Sequence, residues 1–149
     1  MREDVIRSVL LPLTDRSVLL PHSAMLDVLP ERDITLVENA PDWVLGEVNW
    51  NNYSIPLVAL DVAFGGEKVA KPRRSRIVIV TCLSKNIGYK YLAIRVTKAP
   101  RLVQFSEDAL KQQDVGDLNS EYIRFYGELN HQLVIIPDMQ KLESHIAAK

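Results

Sequence analysis

The sequence is built from short apolar, β-branched runs that are broken every few residues by turn-forming side chains. The run at 77–80, Ile-Val-Ile-Val, is typical, and the polar residues 84–88 follow it. Such runs, when bounded by Gly, Pro, Asn, Asp or Ser, indicate β-strands. Strands are predicted at 5–13, 17–20, 34–37, 43–50, 53–60, 76–83, 89–97, 102–105, 122–126 and 132–137. Many short strands with few helices predict a β-barrel or a β-sandwich.

Three segments predict helical structure between and after the strands. Residues 23–29 carry apolar side chains at helical spacing, which predicts one or two helical turns. Ser106 is predicted to be the N-cap of a short helix that reaches about Gln112. Asp138 is predicted to cap a final helix whose apolar side chains share one face, namely Met139, Leu142 and Ile146.

Two features predict how the strands are connected. Asn51-Asn52 interrupts an apolar pattern, and asparagine tolerates a positive φ, so a tight hairpin turn is expected there. Residues 65–76 contain two glycines, a proline and five basic side chains, which predicts a linker near the middle of the chain. Paired strands on both sides of that linker predict two small barrels in one unit, although a single sandwich also fits the pattern.

Composition excludes several classes of function. The 149 residues carry a formal net charge of −1, which provides no overall field to attract nucleic acid or an anionic membrane. The basic linker lacks interleaved aromatic side chains to stack on bases, so a solvated loop is the favoured interpretation. No apolar stretch approaches the roughly 20 residues that span a bilayer, and no export signal is apparent. A cytoplasmic location is therefore expected.

No catalytic, cofactor-binding or metal-binding motif stands out. The sequence lacks a glycine-rich phosphate loop and a G-x-S-x-G nucleophile elbow. His22, His131 and His145 are far apart and lack metal-ligand spacing, with His131 in a predicted turn and His145 on the final helix. The single cysteine, Cys82, lies in an apolar run and is expected to pack rather than react. The absence of motifs argues against an enzyme.

Two tryptophans and a glycine mark one predicted strand. Trp43 is expected in the core, whereas Trp50 lies beside the predicted turn, where a large aromatic ring is partly exposed. Exposed aromatic side chains on a rigid β edge are typical of protein interfaces. Gly46 is expected where the strand needs a close backbone approach.

The segment 18–64 resembles the CheW-like domain family. Residues 37–52, Val-Glu-Asn-Ala-Pro-Asp-Trp-Val-Leu-Gly-Glu-Val-Asn-Trp-Asn-Asn, are similar to a block with a small-Pro pair, an aromatic or apolar pair, a glycine and a strand ending Asn-Leu-Arg-Gly. Residues 55–58 then resemble an apolar-Pro-apolar-Val strand. Residues 121–123 and 133–142 resemble the last strand and terminal helix. The resemblance covers nearly the whole chain and is weaker at 65–113.

The resemblance implies a fold and a role. The fold would be mainly β, with two SH3-like five-stranded barrels packed together in one domain over 1–149, short helices and a C-terminal helix. Members couple the cytoplasmic tips of chemoreceptors to the regulatory domain of a CheA-type histidine kinase, catalyse no reaction and are monomers by default. Receptors contact a groove between the barrels, and the kinase contacts the first barrel. The implied protein-binding residues are Met25, Asn49, Trp50, Asn51, Asn52 and Tyr53.

The departures from the family pattern suggest a divergent member. Asn52 can replace the glycine of the family turn, but Asn51 lacks the charge and planar fork of the family arginine that serves receptor coupling. Ala59 and Thr97 fall where acidic residues are expected, and Met25 replaces a small apolar residue. The pattern resembles a ChpC-type accessory protein of a pilus (twitching) chemosensory system.

Four functions are consistent with these observations. An adaptor between receptor and kinase comes first, and a modulator that binds the kinase without the receptor comes second. A small ligand-binding β-barrel or small enzyme would require a large apolar pocket with converging polar groups. A nucleic-acid-binding barrel would use the basic segment 68–76 and bind in a strongly salt-dependent manner.

Overall fold

Two β-sheets form the framework of the computed structural model, which describes residues 5–14, 16–66, 75–82 and 90–147. The strands within these ranges are β1 (Val5–Pro12), β2 (Ser17–Pro21), β3 (Met25–Pro30), β4 (Val44–Trp50), β5 (Tyr53–Val58), β6 (Arg76–Thr81), β7 (Tyr91–Val96), β8 (Arg101–Ser106), β9 (Lys111–Gln112), β10 (Ile123–Leu129) and β11 (Gln132–Pro137). The α-helices are α1 (Leu60–Ala63) and α2 (Met139–Ala147), and three short 3₁₀ turns accompany them.

The first sheet joins the two ends of the chain. Its six strands follow the order β8-β1-β2-β11-β10-β9, with β2 and β11 parallel and the other neighbours antiparallel. The second sheet has the order β3-β6-β7-β5-β4, with β5 and β7 parallel. The chain therefore enters the second sheet after β2 and returns to the first sheet after β7.

The sheets do not divide the chain at the predicted linker. Strand β6 follows that segment directly, yet it pairs with β3 and β7 in the sheet that also holds β4 and β5. The N-terminal hairpin β1–β2 pairs instead with strands from the C-terminal half. Each half of the chain does hold paired strands, as expected: β1–β2 and β4–β5 in the first half, β6–β7 and β10–β11 in the second. Long-range pairing also joins the N-terminal hairpin to strands of the second half, so the halves are interleaved. Residues 67–74 of the linker and the predicted turn 84–88 lie outside the described ranges.

The five-stranded sheet closes on itself through the segment that follows β3. Thr35 forms an isolated bridge with Glu47 of β4, with N···O distances of 2.9 and 2.8 Å in the two directions. The strand predicted at 34–37 is reduced to this single bridge. Gly46 makes the approach possible, because a Cβ there would lie 2.3 Å from Ile34 Cγ2 and 2.6 Å from the Thr35 carbonyl oxygen. The expected close backbone approach at Gly46 is confirmed.

Three apolar clusters explain why the strands are continuously hydrophobic. Side chains alternate between the two faces of a strand, and in β6 Ile77 and Ile79 line the interior of the five-stranded sheet whereas Val78 and Val80 face a central cluster. In β2, Leu19 lines the interior of the six-stranded sheet, and its neighbours face the same central cluster. Both faces of these strands are buried, because the two sheets pack on each other as well as on their own interiors.

Helix α2 covers part of the central cluster. The Asp138 carboxylate accepts a hydrogen bond from the Lys141 backbone N–H at 3.1 Å, which confirms the predicted N-cap. Its predicted apolar face is also confirmed, since these three side chains are buried in the central cluster: Met139, Leu142 and Ile146. The cluster includes Trp43, whose predicted core position is likewise confirmed.

Two helix predictions are wrong. Of the segment predicted at 23–29, the first two residues belong to a 3₁₀ turn, His22–Ala24. The rest belongs to strand β3, Met25–Pro30, which pairs with β6. A segment this short has too few hydrogen bonds to hold an isolated helix, so pairing with β6 prevails. After Ser106, the helical turn covers only Glu107–Ala109 and β9 follows. The Ser106 hydroxyl donates to the Asp108 carboxylate at 2.6 Å instead of capping the backbone, and it lowers the pKa of Asp108.

Candidate protein-interaction surface

The turn between β4 and β5 is a rigid two-residue hairpin. Asn51 and Asn52 have φ values of 48° and 66°, the left-handed backbone that this kind of turn requires. The flanking residues Trp50 and Tyr53 face each other across the hairpin. The predicted tight turn is confirmed, and it fixes the positions of both aromatic side chains.

Three aromatic rings pack together beside this turn. Trp50 meets Tyr91 edge-on, with ring centroids 5.2 Å apart, and Tyr53 meets the same ring at 5.0 Å. Edge-to-face pairs at such distances stabilise a fixed arrangement beyond the area they bury. Trp50 is half-buried, as predicted, and Tyr53 remains 42% exposed. The aromatic side chains are therefore held in place while part of their surface is accessible.

Side-chain hydrogen bonds tie this turn to the opposite edge of the five-stranded sheet. The Trp50 indole Nε1–H donates to Asp27 Oδ2 at 2.9 Å, which links β4 to β3. The Arg32 guanidinium donates from Nη1 to the Asn49 carbonyl oxygen, also at 2.9 Å. Strands β3 and β4 are the two edges of this sheet, so these bonds help to close it.

An open polar groove of about 620 Å³ lies at this closure. We call the groove together with Tyr53 the turn surface, and its residues are Asp27, Leu29, Arg32, Asn49, Trp50, Asn51, Asn52 and Tyr53. Its polar groups include one carboxylate, one guanidinium and the exposed amides of three asparagines. Such a surface can exchange hydrogen bonds with a partner protein around an aromatic anchor.

A largely buried ion pair holds Arg32 over this groove. Glu31, the residue that precedes Arg32, accepts two hydrogen bonds from Arg95, at 2.7 Å from Nε and 3.2 Å from Nη2. The hydroxyl of Ser75 donates to the same carboxylate at 2.9 Å. A bidentate guanidinium–carboxylate pair is geometrically specific. The backbone leading into Arg32 is therefore fixed to β7 and to the start of β6.

The structure brings five of the six residues predicted for protein binding to one place. Asn49, Trp50, Asn51, Asn52 and Tyr53 all belong to the turn surface. Met25 does not, because it packs on the central cluster between the sheets. A register shift between Met25 and Asp27 separates these two positions of β3.

Sequence reasoning missed three contributors to the turn surface. Asp27, Arg32 and Tyr91 come from other parts of the chain and reach Trp50 or Asn49 only through the fold. Asp27 and Arg32 flank the end of a segment whose strand character was not recognised. Tyr91 carries no signal beyond its place at the start of a predicted strand.

Other titratable side chains named from the sequence take part in packing, in a turn or in a hydrogen bond of the fold. Cys82 packs beside the central cluster, and burial together with the Glu143 carboxylate raises its pKa from 9.0 to about 12, which makes its thiol unreactive at neutral pH. His131 lies in the β10–β11 turn with φ 67°, as predicted. His145 lies on α2, as predicted, and is hydrogen-bonded to the Tyr122 hydroxyl. Burial and the Glu121 carboxylate raise the pKa of Tyr122.

The fold and this surface define a mainly β protein that carries an exposed turn fixed by aromatic packing and hydrogen bonds. The chain belongs to the CheW-like domain family, whose profile matches residues 7–147. No helix in the described ranges is long and apolar enough to span a membrane.

Two known proteins are similar to this chain. A chemotaxis protein CheW of Klebsiella aerogenes is 22% identical over 113 residues, which are 74% of this chain and 65% of that protein. The match thus spans about two-thirds of the length of this curated relative. The crystal structure of the scaffolding protein TtCheW from Thermoanaerobacter tengcongensis superposes with a TM-score of 0.72 at 20% identity, covering 92% of this chain and 89% of that one. The likeness confirms the predicted fold class, with two mixed sheets in a CheW-like two-barrel arrangement and a C-terminal helix.

Proposed function

We propose that this protein is a non-catalytic adaptor that couples the cytoplasmic tip of a chemoreceptor to the regulatory domain of a CheA-type histidine kinase. Membership of the CheW-like family supports this role, as does the likeness to proteins described as a chemotaxis protein and a scaffolding protein. The observation that carries the proposal is the turn surface, where Trp50 is fixed yet half-exposed.

The turn surface has the physical properties of a binding anchor. Trp50 and Tyr53 are held by Tyr91, and the indole N–H is already satisfied by Asp27. A preorganised aromatic side chain loses little conformational entropy on binding, so more of its buried area contributes to affinity. Tryptophan and tyrosine are among the side chains that most often dominate interface energies.

Arg32 favours an adaptor that retains its receptor contact. In this chain Asn51 stands where the family turn has an arginine, and an amide cannot supply a guanidinium's charge. The Arg32 guanidinium lines the same groove as Asn51 and donates one hydrogen bond to the Asn49 carbonyl oxygen. Its other N–H groups make no hydrogen bond within the described ranges. We propose that Arg32 supplies the positive charge which position 51 no longer provides.

The second candidate function is a modulator that binds the kinase without the receptor. Asn51 is the observation that favours it, because the turn itself carries no charge. The two functions differ only in whether the receptor tip binds. We further propose that the protein acts in the cytoplasm, where both partners would be found, and that its signalling system controls type IV pilus (twitching) motility.

Calorimetry with two partners tests the proposal. The purified chain is titrated with the regulatory domain of each CheA-type kinase from the same organism, and in parallel with the cytoplasmic tip of the cognate receptor. Binding of both partners is the expected result. Binding of the kinase domain alone would favour the modulator, and binding of neither would refute both functions.

Variants of the turn surface locate the contact. Trp50→Ala is expected to weaken partner binding by about 1–2 kcal/mol, because it removes the central aromatic anchor. Leu102→Ala is the matched control, since Leu102 is exposed on the other sheet. Arg32→Gln is expected to weaken receptor binding more than kinase binding. Far-UV circular dichroism establishes that each variant is folded, and equal affinity of Trp50→Ala and wild type would remove Trp50 from the interface.

A further inference from the structure

Three aromatic rings lie at one end of the interior of the five-stranded sheet. Trp50 and Tyr91 pack against the apolar cluster inside that sheet, and Trp50 pairs with Tyr53 across the β4–β5 hairpin. Tyr91 contacts both of the other rings edge-on. We call these three side chains the aromatic platform. Because the cluster beneath supports it, the exposed parts of Trp50 and Tyr53 are held at fixed positions.

Asp27 places a carboxylate beside this platform. Its Oδ2 atom accepts the hydrogen bond from Trp50 Nε1 at 2.9 Å, and its Oδ1 atom accepts one from the Val28 backbone N–H at 2.8 Å. An ionised carboxylate has about four lone-pair sites, so each oxygen can accept a further hydrogen bond. Asp27 is exposed to solvent. A negative charge of fixed orientation is therefore accessible at the edge of the indole.

A carboxylate next to exposed aromatic rings favours a cationic ligand. The face of an aromatic ring attracts a cation within about 6 Å of its centroid, and tryptophan does so most strongly. The side-chain amides of Asn51 and Asn52 line the same groove and can offer carbonyl oxygens as further acceptors. Arg32, which also lines the groove, donates to the Asn49 carbonyl oxygen. The acceptors around Asp27 thus match a positively charged group that a partner supplies.

The shape of the site favours a guanidinium over an ammonium group, and a protein side chain over a free molecule. A guanidinium is planar, so it can stack on a ring while its N–H groups reach acceptors around it, whereas an ammonium group is compact and strongly hydrated. The groove is open and has a volume of about 620 Å³. Small-molecule sites usually enclose most of their ligand. An open groove on an exposed turn instead suits a side chain that a partner's surface holds in place.

We propose that Asp27, Trp50 and Tyr53 form a binding site for an arginine side chain of the partner protein. The guanidinium pairs with the Asp27 carboxylate and stacks on the exposed part of the aromatic platform. Arg32, in the same groove, then pairs with an acidic side chain of the partner, so two charges of opposite sign set the register of the complex. The identity of the partner rests on the proposed function, which this site makes more specific.

Nuclear magnetic resonance with two matched compounds tests the site without any partner. The ¹⁵N-labelled chain is titrated with N-acetyl-arginine methylamide and with N-acetyl-citrulline methylamide, which keeps the length and the planar end of arginine but carries no charge. The arginine compound is expected to shift the indole N–H signal of Trp50 and the side-chain amide signals of Asn51 and Asn52, with a dissociation constant about fivefold lower than that of the citrulline compound. Equal binding of the two compounds, or no shift of these signals by the arginine compound, would overturn the proposal.

A third compound tests the choice of a guanidinium. N-acetyl-lysine methylamide carries the same charge on a compact ammonium group, and it is expected to bind more weakly than the arginine compound. Equal or tighter binding of the lysine compound would overturn the assignment to arginine.

Two substitutions assign the binding to the carboxylate. Asp27→Asn removes the charge but keeps an oxygen that can accept the indole hydrogen bond, and it is expected to weaken binding of the arginine compound about fivefold. Asp108→Asn is the matched control, because Asp108 is an exposed carboxylate that follows β8 of the other sheet. The dispersion of the amide signals establishes that each variant is folded. Unchanged binding in Asp27→Asn, or equal weakening in Asp108→Asn, would contradict the assignment.

Calorimetry with the kinase domain and the receptor tip separates the arginine site from the adaptor function. The expected result is that at least one partner binds the wild type and loses about fivefold in affinity with Asp27→Asn. If Asp27→Asn binds both partners as tightly as the wild type does, the arginine site is refuted and the adaptor function stands. If neither partner binds while the arginine compound binds beside Asp27, the adaptor function is refuted and the arginine site stands.

Discussion

The central cluster between the sheets and the turn surface are organised by different forces. The central cluster contains apolar side chains from both sheets and from α2, and nearly all of them are inaccessible to water. The turn surface is held by an indole–carboxylate hydrogen bond, a guanidinium–carbonyl hydrogen bond and two aromatic contacts. Stability is concentrated in the first region, and the groups available to a partner are concentrated in the second.

This difference indicates how a scaffold protein can change partners without losing its fold. Burial of apolar area stabilises a fold in proportion to that area and does not depend on exact direction. Polar contacts at the surface contribute little net stability, but they fix the direction of each donor and acceptor. A change of side chain at position 51 can therefore alter the polar groups of the turn surface while the packing between the sheets is unaffected.

The largest effect is expected from a truncation in the central cluster. Leu142→Ala should lower the free energy of unfolding by about 2–5 kcal/mol, because it leaves a cavity at a side chain that is 0% exposed. The same substitution at Leu102, which is 63% exposed, should change stability by about 0.5 kcal/mol or less. Urea unfolding of both variants measures the contrast. Similar losses in the two would show that stability is not concentrated between the sheets.

A smaller effect is expected where the five-stranded sheet closes. Gly46→Ala should lower the free energy of unfolding by about 3 kcal/mol, because the added Cβ meets Ile34 and the Thr35 carbonyl at a φ of +150°. Gly116→Ala is the control, since its φ is +61° but nothing lies within 4 Å of the added Cβ. It should lose only about 1 kcal/mol, from the backbone alone. Equal losses in thermal melts of the two variants would disprove the close approach.

The smallest effect is expected at the tip of the turn surface. Asn52→Ala should lower the free energy of unfolding by about 1 kcal/mol, because alanine is disfavoured at a φ of 66°. Asn52→Gly should be as stable as the wild type or slightly more so, since glycine adopts this backbone freely. Partner affinity measured beside stability distinguishes a turn that only shapes the surface from an amide that contacts the partner. If Asn52→Ala lowered the free energy of unfolding by more than 2 kcal/mol, the turn would contribute to stability as strongly as the central cluster.

Strand positions were predictable because burial on both faces leaves a strong local signal. The runs at 76–83 and 132–137 are apolar at nearly every position, and they contain strands β6 (Arg76–Thr81) and β11 (Gln132–Pro137), each with side chains in the central cluster. The Asn51-Asn52 turn and the cap at Asp138 were predictable because each depends on the chemistry of adjacent residues. The strand in segment 23–29 was not predictable, because the spacing of its apolar side chains fits a short helix. Pairing with β6 outweighs that local preference.

The candidate site was predictable only in part. Five of its residues are consecutive in the chain, and their resemblance to a family block marks them together. Asp27, Arg32 and Tyr91 reach the same surface only because the sheet closes between β3 and β4. Met25 was grouped with them in the prediction, but a register shift in β3 separates it from Asp27. Such a shift depends on which strand lies alongside, and no local pattern encodes it.

The sequence by itself determined most of the strands, the tight turn, the capped final helix and the resemblance to the family, because each rests on neighbouring residues or on a continuous block. Only the tertiary structure decided which strands share a sheet, how the N-terminal hairpin joins the C-terminal strands, and which polar groups meet at the turn surface. The physical reason is the distance along the chain over which each interaction acts. Backbone preference and hydrophobic periodicity act over a few residues, whereas the Trp50–Asp27 hydrogen bond and the Arg95–Glu31 ion pair exist only once distant segments pack together.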